Sequence, residues 1–398
     1  MANVSSSNGL EKRPKLRFPG FDEPYKKCRI GDIYAERSQR GAGDMELLSV
    51  TMNDGVMPRS KIEGKDNSSE DKSNYKVVCK GDMVYNSMRM WQGANGISDY
   101  DGIVSPAYTV LMPTEGIDNR YFAALFKTPN LINEFRKNSQ GLTSDTWNLK
   151  YPQISPIRLY IPSLHEQHKI SGFISALESR IRKQRQLVDS LKKYKRGAFS
   201  RLINGTLTFN NCSDTESWQL RRVGDFCEVQ MCKRVFKEQT TPDGDVPFYK
   251  IGTIGGLPDA YISRFLYEDY KRKYSFPRKG EFLISCAGTV GKCVLYNGED
   301  AYYQDSNIVW LRNNSPDVSN DYLFVLVSNV DWTTLNSTTI TRIYNDNLRD
   351  LRFYIPPMQI QKRIVDYIFT LSSRIDIEQM TLDKLQQERM GLLQQLFI

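Results

Sequence analysis

Residues 158–203 read RLYIPSLHEQHKISGFISALESRIRKQRQLVDSLKKYKRGAFSRLI, and residues 352–397 read RFYIPPMQIQKRIVDYIFTLSSRIDIEQMTLDKLQQERMGLLQQLF. When the two stretches are aligned with a shift of 194 residues and no gap, 15 of 46 positions are identical. Unrelated segments of average composition would share roughly three. A repeat of this length predicts that the chain is built from two copies of one structural unit.

Each copy predicts a short extended segment that leads into a long helix. Both open on Tyr-Ile-Pro, and a proline disfavours helix in the residue before it, so the helices should begin after Pro162 and Pro356. Except for Pro357, no further proline occurs in either copy. Helices of this size would be on the order of 55 Å long.

Apolar residues recur at alternating spacings of three and four along both predicted helices, which is the pattern of a coiled-coil seam. The predicted seam residues are Ile170, Ile174, Leu177, Ile181, Val188 and Leu191 in the first helix, and Ile364, Ile368, Leu371, Ile375, Leu382 and Leu385 in the second. Polar residues interrupt the seam at matching places, Gln184 with Glu378 and Lys195 with Arg389, and are expected to set its register. We expect antiparallel pairing, because parallel pairing would require the intervening chain to travel back along the whole helix. The globular units would then lie at opposite ends of the pair.

The segments outside the helices repeat more weakly but in the same order. Residues 29–33 (RIGDI) return as 222–226 (RVGDF), and residues 80–84 (KGDMV) return as 279–283 (KGEFL). Runs of β-branched and aromatic residues predict strands at 75–80, 82–86, 102–112, 246–251, 281–285 and 307–312. One helical stretch is expected after the strands of each unit, near 119–137 and 320–330. The expected fold class is α+β, with a flexible tail (1–14), a first globular domain (15–153), a first long helix (154–205), a second globular domain (206–347) and a second long helix (348–398).

The charge of the chain favours a polyanionic partner. Its 398 residues carry a formal net charge of +8, and the pI is near 8.9. Residues 166–203 contain ten Lys or Arg against three Asp or Glu, whereas residues 360–397 contain five of each. The basic first helix is either a solvated face or a contact to a DNA backbone, and its sequence leaves both open.

Residues that commonly carry catalysis or bind metal are scarce. His165 and His168 are the only histidines, too few for a histidine-built zinc site, and the seven cysteines (28, 79, 212, 227, 232, 286 and 293) contain no CxxC pair, as in reduced cytosolic proteins. Residues 287–292 (AGTVGK) fail the phosphate-loop pattern, because Cys286 and Cys293 stand where glycine and Ser or Thr are required.

Other enzyme signatures and targeting signals are equally missing from the sequence. The tetrad of an amino-methyltransferase, Asn-Pro-Pro-aromatic or Asp-Pro-Pro-aromatic, does not occur. Residues 63–65 and 70–72 have the spacing of an acidic-lysine pair of a nuclease, but no preceding strand supplies the second carboxylate that a nuclease would need. A membrane span needs about 18 apolar residues in a row, no run approaches this, and the N-terminus is polar. The sequence therefore predicts a cytoplasmic binding protein without a catalytic or metal site.

Two sets of motifs carry a resemblance to a known family. Segments 161–167 (IPSLHEQ) and 355–361 (IPPMQIQ) each lead into a long helix, and the chain opens on 14–19 (PKLRFP). In the globular units the motifs are 85–94 (YNSMRMWQGA) with 102–108 (GIVSPAY), and Ser285 and 288–291 (GTVG) with 304–307 (QDSN). Together these resemble the specificity subunit of type I restriction-modification enzymes, with two types of target recognition domain, over nearly the whole chain. Ile360 departs from Glu166 of the first copy, which leaves open whether both helix starts make the same contacts.

The resemblance implies a subunit without an active site of its own. Each target recognition domain would read one half of a split double-stranded DNA site, and the helices would fix the gap between the halves. Two methyltransferase subunits would dock against the helices and bring S-adenosylmethionine to methylate adenine. Restriction subunits, which use ATP and Mg²⁺, would join to cut unmodified DNA. This chain would bind no cofactor itself and would act in the cytoplasm of a bacterium or archaeon.

A helical rod of about 50 Å with a reading surface near each end could place two readers about one turn of B-DNA apart, because half-sites on one face recur about every 34–36 Å. This predicts a bipartite site with a fixed spacer. The unlike loops of the two units predict that the site is asymmetric. Hydrogen-bonding side chains on loops beside the strands would read bases, while Lys and Arg would hold phosphates. The candidate DNA-binding residues are Asn86, Ser87, Arg89, Gln92, Ser105 and Tyr108 in the first domain, and Ser285, Gly288, Thr289, Gly291, Lys292, Gln304, Ser306, Asn307 and Arg342 in the second. The two glycines would let backbone amides approach the DNA closely.

Other interpretations remain open at this stage. The chain is also compatible with the recognition subunit of a restriction enzyme in which one partner chain both methylates and cleaves. From another class, it could be a coiled-coil scaffold for two protein-binding modules, which predicts no salt-dependent DNA affinity. A stand-alone nuclease or methyltransferase would need catalytic residues that the sequence does not offer.

Overall fold

A computed structural model describes residues 13–41, 44–52, 55–64, 68–143, 147–207, 209, 218–332 and 342–397. Most of the predicted tail, together with Lys65 and Cys212, lies outside these ranges. The described residues divide into two compact units, unit 1 within Met1–Gln186 and Gln379–Ile398 and unit 2 within Leu187–Glu378. Each long helix therefore contributes one segment to each unit.

Unit 1 is built around a four-stranded antiparallel sheet with the strand order β2-β9-β6-β7. Two-stranded antiparallel sheets join β1 to β10, β3 to β4 and β5 to β8. The elements are β1 (Lys26–Arg29), α1 (Ile30–Ile33), β2 (Tyr34–Glu36), β3 (Leu48–Thr51), β4 (Gly55–Pro58), β5 (Lys76–Val78), β6 (Met83–Asn86), β7 (Asn95–Ile97), β8 (Gly102–Val104), β9 (Tyr108–Pro113), α2 (Asn119–Leu125), α3 (Pro129–Asn138), α4 (Tyr151–Ile154), β10 (Arg158–Ile161) and the first part of α5 (Leu164–Ile203).

Unit 2 has a four-stranded antiparallel sheet with the corresponding order, β12-β18-β15-β16. Strand β13 pairs with β14 and β17, and β11 pairs with β19. The elements are β11 (Gln219–Arg222), β12 (Cys227–Met231), β13 (Val246–Tyr249), β14 (Tyr261–Ile262), α6 (Arg264–Lys273), β15 (Phe282–Ser285), β16 (Cys293–Leu295), β17 (Tyr302–Tyr303), β18 (Ile308–Asn313), α7 (Asn320–Val327), α8 (Asn345–Asp350), β19 (Arg352–Ile355) and the first part of α9 (Met358–Leu396).

Most of the predicted seam residues are buried in the structure. Buried members are Ile170, Ile174, Ile181, Val188, Ile364, Ile368, Ile375, Leu382 and Leu385, while Leu177, Leu191 and Leu371 are half-buried. In unit 1, Ile181 of α5 clusters with Leu382 and Leu385 of α9, and the earlier Glu178 accepts a 2.8 Å hydrogen bond from the later Arg389. Because earlier positions of α5 meet later positions of α9, the two segments run antiparallel within unit 1.

Unit 2 holds the other halves of the same helices in the same antiparallel sense. Phe199 and Leu202 of α5 share its core with Ile364 and Ile368 of α9. The half-buried Lys195 lies near the exposed Asp376, and burial lowers the pKa of the lysine despite that carboxylate. The polar seam position is thus tolerated because an opposite charge lies beside it.

Each repeated Lys-Gly-acid motif forms a turn that needs glycine. Gly81 and Gly280 have φ of +96° and +88°, a region that residues with a Cβ rarely adopt. The acid that follows closes the turn by accepting backbone N–H groups, and Asp82 also binds Arg37 at 2.7 Å, while its counterpart Glu281 binds an arginine of β18. The motif is therefore structural in both units.

A glutamine that is identical in the two repeats fastens each long helix to its globular unit. Gln167 accepts from the backbone N–H of Asp118 at 3.0 Å, and Gln361 accepts from that of Ser319 at 2.9 Å. Each glutamine also donates to the carbonyl of the proline that precedes its helix. Asp118 and Ser319 are the N-caps of α2 and α7, so the same residue orders the same junction twice.

The residue before that glutamine distinguishes the two helix starts. Glu166 is almost fully buried and binds Arg17 through two hydrogen bonds of 2.8 and 2.7 Å. Ile360, at the matching position, is buried in the apolar core of unit 2. The two starts therefore make different contacts, an ion pair in one unit and apolar packing in the other.

Arg17 belongs to a segment that lies across the helices of unit 1. The Leu16 N–H donates to the carbonyl of Gln395 at 2.9 Å, and the ring of Phe18 packs edge-on against Phe173 at 5.8 Å. In unit 2 an equivalent contact joins Phe209 to Tyr367, the residue that aligns with Phe173. The repeat therefore includes a short segment that precedes each globular unit.

Three expectations about local structure were wrong. The predicted strand at 102–112 is two strands, because Pro106 lies in a turn in which the Tyr108 N–H donates to the carbonyl of Ser105. The predicted helix at 119–137 is α2 and α3, because Pro129 begins a new helix at its first position. Unit 2 also contains α6, which was not predicted and is capped by the Ser263 side chain.

Candidate nucleic-acid interface

In unit 1 the fold brings the predicted DNA-binding residues to one end of the central sheet. Asn86 ends β6 and pairs in register with Tyr108, which begins β9. The Ser87 N–H donates to the carbonyl of Ala107 at 2.9 Å, which joins the turn after β6 to the turn before β9. The residues gathered there are Asn86, Ser87, Arg89, Gln92, Ser105 and Tyr108.

These side chains differ in how accessible they are to a binding partner. Ser87 is buried, and its hydroxyl shares a 2.8 Å hydrogen bond with Thr109, so it supports the sheet. The Asn86 side chain accepts from the Met88 N–H at 3.0 Å, which shapes the turn. Arg89 and Gln92 are exposed, and within the described ranges their side chains form no hydrogen bond. These two are therefore free to bind an outside partner.

An aromatic and basic cluster that sequence reasoning missed flanks this turn. Trp91 packs edge-on against Trp147 with ring centroids 5.3 Å apart, and the Arg136 guanidinium lies 5.3 Å from the Trp147 ring centroid. Arg136 belongs to α3, which packs against residues 90–92 of this turn. No local pattern indicates this cluster, because its members come from segments about fifty residues apart.

In unit 2 the predicted residues also converge at one end of the central sheet. Backbone hydrogen bonds close the turn 286–292, with the Gly291 N–H donating to the carbonyl of Ser285 at 2.8 Å. Cys286 ties this turn to its neighbours, since its N–H donates to Asn307 and its carbonyl accepts from Ile343. The residues gathered are Ser285, Gly288, Thr289, Gly291, Lys292, Gln304, Ser306, Asn307 and Arg342.

Several of these residues hold the loops rather than point outward. The buried Ser285 hydroxyl accepts from the Lys292 N–H at 3.1 Å, and the Lys292 ammonium donates to the carbonyl of Ile254 at 2.6 Å. Gln304 accepts from the Ile251 N–H at 3.3 Å. The side chain of Asn307 makes no hydrogen bond within the described residues, so it is available for readout.

Backbone conformation is unusual in both loops. Gly291 has φ of +79°, and a Cβ there would lie 2.1 Å from the Trp332 ring, so both conformation and space require glycine. Its N–H is used inside the turn. Within the described ranges, Ser306 is the one non-glycine residue in the left-handed region, at φ +55°. Such strain concentrates at functional sites, which is consistent with a recognition loop.

Burial keeps the thiols of this region in the protonated form. Burial raises the pKa of Cys286 to about 11 and that of Cys293 to about 12, so both stay protonated at neutral pH. Among the residues that the structure describes, no group of three or more His, Cys, Asp or Glu is placed to hold a metal ion. In the same ranges, no helix is both long and apolar enough to cross a membrane.

Comparison with solved structures gives the same two-domain fold. The S subunit of the type I restriction-modification system from M. genitalium aligns with a TM-score of 0.59 and 13% identity, covering 97% of this chain and 99% of that one. A chain from a structure on complex assembly and conformational transition of the type I R-M system aligns with a TM-score of 0.56 and 16% identity, covering 95% and 98%. At these identities the likeness establishes the fold.

Sequence comparison establishes the family. A curated type I restriction enzyme specificity subunit of Haemophilus influenzae is 50% identical over 146 residues, which span 37% of this chain and 38% of that relative. The family described as type I restriction modification DNA specificity domain matches twice, at residues 23–193 and 215–387. The chain therefore belongs to the type I restriction-modification specificity family, as its motifs predicted, with one DNA specificity domain in each half.

Proposed function

We propose that this chain is the sequence-specific DNA recognition subunit of a type I restriction-modification complex. The domain at about 15–153 reads one half of a bipartite, asymmetric site, and the domain at about 206–347 reads the other. The helical segments 154–205 and 348–398 dock two methyltransferase subunits. Restriction subunits join through the complex, in the cytoplasm.

One observation carries the proposal: the same sheet order is built twice, and the loops at its ends differ. The sheets β2-β9-β6-β7 and β12-β18-β15-β16 correspond strand by strand. Between paired strands, unit 1 has residues 87–94 with a Trp-Gln-Gly turn, whereas unit 2 has residues 286–292 with two left-handed glycines. A repeated framework with unlike loops is suited to reading two unlike half-sites.

The available side chains match the chemistry of base edges. Arg89 can donate two hydrogen bonds to guanine in the major groove, and the amides of Gln92 and Asn307 can bind adenine in a bidentate manner. Thr289 stands exposed at the tip of its turn and can contact either a base or a phosphate. These residues read DNA, while the buried ones hold the loops in place.

In this proposal, the partner subunits carry out catalysis. The methyltransferase subunits bring S-adenosylmethionine and modify adenine, and the restriction subunits bring ATP and Mg²⁺. The high thiol pKa values in unit 2 support a role without covalent catalysis there.

The deciding experiment is to co-express the chain with the methyltransferase encoded beside it and to map modified adenines in the host DNA. A bipartite, asymmetric motif with a constant spacer is expected. The variant Arg89→Ala with Gln92→Ala should relax the half read by unit 1 and keep the half read by unit 2. Modification at a single undivided motif, or loss of both halves in the double variant while its folding is intact, would overturn the proposal.

A further inference from the structure

Arg234 lies next to the recognition loops of unit 2 and was not among the predicted DNA-binding residues. It follows the end of β12, and its Nε donates to the Asp305 carboxylate at 2.9 Å. Asp305 belongs to the segment 304–307, which carries three of the predicted residues. The neighbouring Lys233 is fixed by its carbonyl, which accepts from the Tyr302 hydroxyl at 3.1 Å. The position of Arg234 is thus set from both sides.

The ion pair contributes little to folding. The Arg234 side chain is 60% exposed and that of Asp305 is 18% exposed. An ion pair with one partner this open to water contributes little to stability. Stability is therefore not a sufficient reason for an arginine at this position.

The ion pair with Asp305 leaves Arg234 able to bind an anion. Its Nε is bound to Asp305, and within the described ranges Nη1 and Nη2 form no hydrogen bond. A guanidinium offers five N–H donors in a planar fork, so four remain for an oxyanion. Because the carboxylate already holds the plane of the fork, less side-chain entropy is lost on binding.

A second guanidinium contacts the same turn. Arg342 donates from Nη2 to the carbonyl of Ser306 at 3.5 Å. Arg234 and Arg342 therefore contact the neighbouring residues 305 and 306, and Ser306 has a left-handed backbone at φ +55°. This turn thus lies against basic side chains, as expected beside a polyanion.

We propose that Arg234 contacts a DNA phosphate beside the bases read by residues 304–307, and that Asp305 is its positioning residue. The inference rests on the proposed function and adds a residue to it. A phosphate contact fixes register on the duplex without reading sequence. It follows that loss of Arg234 weakens cognate and non-cognate DNA alike.

The test compares variants in the complex assembled with the methyltransferase subunits, by titrating fluorescent duplexes at several salt concentrations. Arg234→Ala should weaken binding roughly three- to tenfold for cognate and non-cognate duplexes, and should lower the slope of log K against log salt by about one. Arg234→Lys keeps the charge and should restore the slope. Asp305→Asn should weaken binding less than Arg234→Ala and leave the slope unchanged.

Arg264 provides a matched control within the same unit. It pairs with Asp300, which precedes β17, whereas Asp305 follows β17, so the two pairs lie at opposite ends of one strand. Arg264→Ala also removes one exposed positive charge and should change neither affinity nor slope.

The inference is wrong if Arg234→Ala binds like Arg264→Ala, or if it alters which bases are modified while the salt slope stays the same. Either result leaves the proposed function standing, because wild-type complex would still modify a bipartite site. Failure of the wild-type complex to do so would count against the function itself.

Discussion

Replacing Glu166 with isoleucine, the residue at matching position 360, is expected to loosen the start of α5 in unit 1. The change removes two charge-assisted hydrogen bonds to Arg17. It leaves a guanidinium whose side chain is 14% exposed and whose Nη1 is already buried without a partner among the described residues. The isoleucine itself suits a buried site, so the cost comes from the arginine.

The magnitude follows from how well each partner can reach water. Breaking one member of a buried ion pair costs about 3–5 kcal/mol, and the partial exposure of Arg17 favours the lower end, about 3 kcal/mol. Arg17→Thr should cost more, because Glu166 is almost fully buried and would keep only a 3.5 Å contact from the Tyr25 hydroxyl. The double variant removes both charges and should cost about 1 kcal/mol or less.

Hydrogen exchange measures this locally and does not require the whole chain to unfold in two states. A loss of about 3 kcal/mol corresponds to roughly hundredfold faster exchange at the start of α5. The start of α9, in unit 2, is an internal control and should not change. Asp346→Ala, which removes an exposed ion pair with Arg349, is a control variant that should leave both regions unchanged.

Equal exchange rates in Glu166→Ile and the double variant would contradict this expectation. That result would mean that an unpaired Arg17 costs nothing. It would then follow that the segment containing Arg17 is held by its apolar contacts alone.

Three further predictions concern stability. Burial raises the pKa of Asp118, but hydrogen bonds from a serine and a histidine of α5 outweigh it, so the pKa lies below its usual value. The ionised Asp118 therefore stabilises the fold above about pH 4, and this stabilisation is lost as the pH falls further. Asp118→Asn should remove this pH dependence in acid titrations, and the N-cap of unit 2, Ser319, does not titrate. Gly391→Ala should increase the free energy of unfolding by about 0.5–1 kcal/mol and raise the melting temperature, because a Cβ there meets nothing within 4 Å. An unchanged or lower melting temperature would contradict this. Gly291→Ala should cost about 1–3 kcal/mol in urea unfolding, because its Cβ would clash with Trp332, and a neutral effect would show that the turn can rearrange.

The long helices were predictable because their signal is local and repeated. Ile170, Ile174, Ile181 and Val188 recur at helical spacing, and all four are buried in the structure. Burial of one face at a fixed period is set by helix geometry, so it can be seen without knowledge of the rest of the fold. The repeat also contains two of the motifs that indicated the family, 161–167 and 355–361.

Contacts between distant segments were not predictable in the same way. Arg17 and Glu166 are 149 residues apart, and Arg234 and Asp305 are 71 apart, so no periodic pattern links them. One signal does exist for the first pair. Residues 15–18 (KLRF) overlay on 206–209 (TLTF), so the second copy replaces both members of the pair, with threonine for the arginine and Ile360 for the glutamate.

The candidate residues of each unit lie together in the structure, but the sequence did not distinguish their structural roles. The turn residues were chosen as polar or glycine near strand ends, and this criterion cannot distinguish a side chain that points outward from one that closes its own loop. Ser285 and Lys292 close the loop, while Arg89 remains exposed. That distinction depends on the tertiary packing of segments such as 250–256 against the turn, which no local pattern contains.

The paired differences between the units show what the framework requires. The buried carboxylate of the Lys-Gly-acid turn binds Arg37, which follows β2, in unit 1 and an arginine of β18 in unit 2. Glu166 needs a charged partner, whereas Ile360 needs none. In the turn, both units have a buried carboxylate to satisfy and the partner differs; at the helix start, the charge and its partner are replaced together. Both patterns follow because burial without a partner is what costs free energy. It follows that the framework constrains pairs of residues rather than single identities. Exposed side chains such as Arg89 and Thr289 carry no such constraint, so they can change without loss of the fold. Under the proposed function, this lets an unchanged sheet read a new half-site.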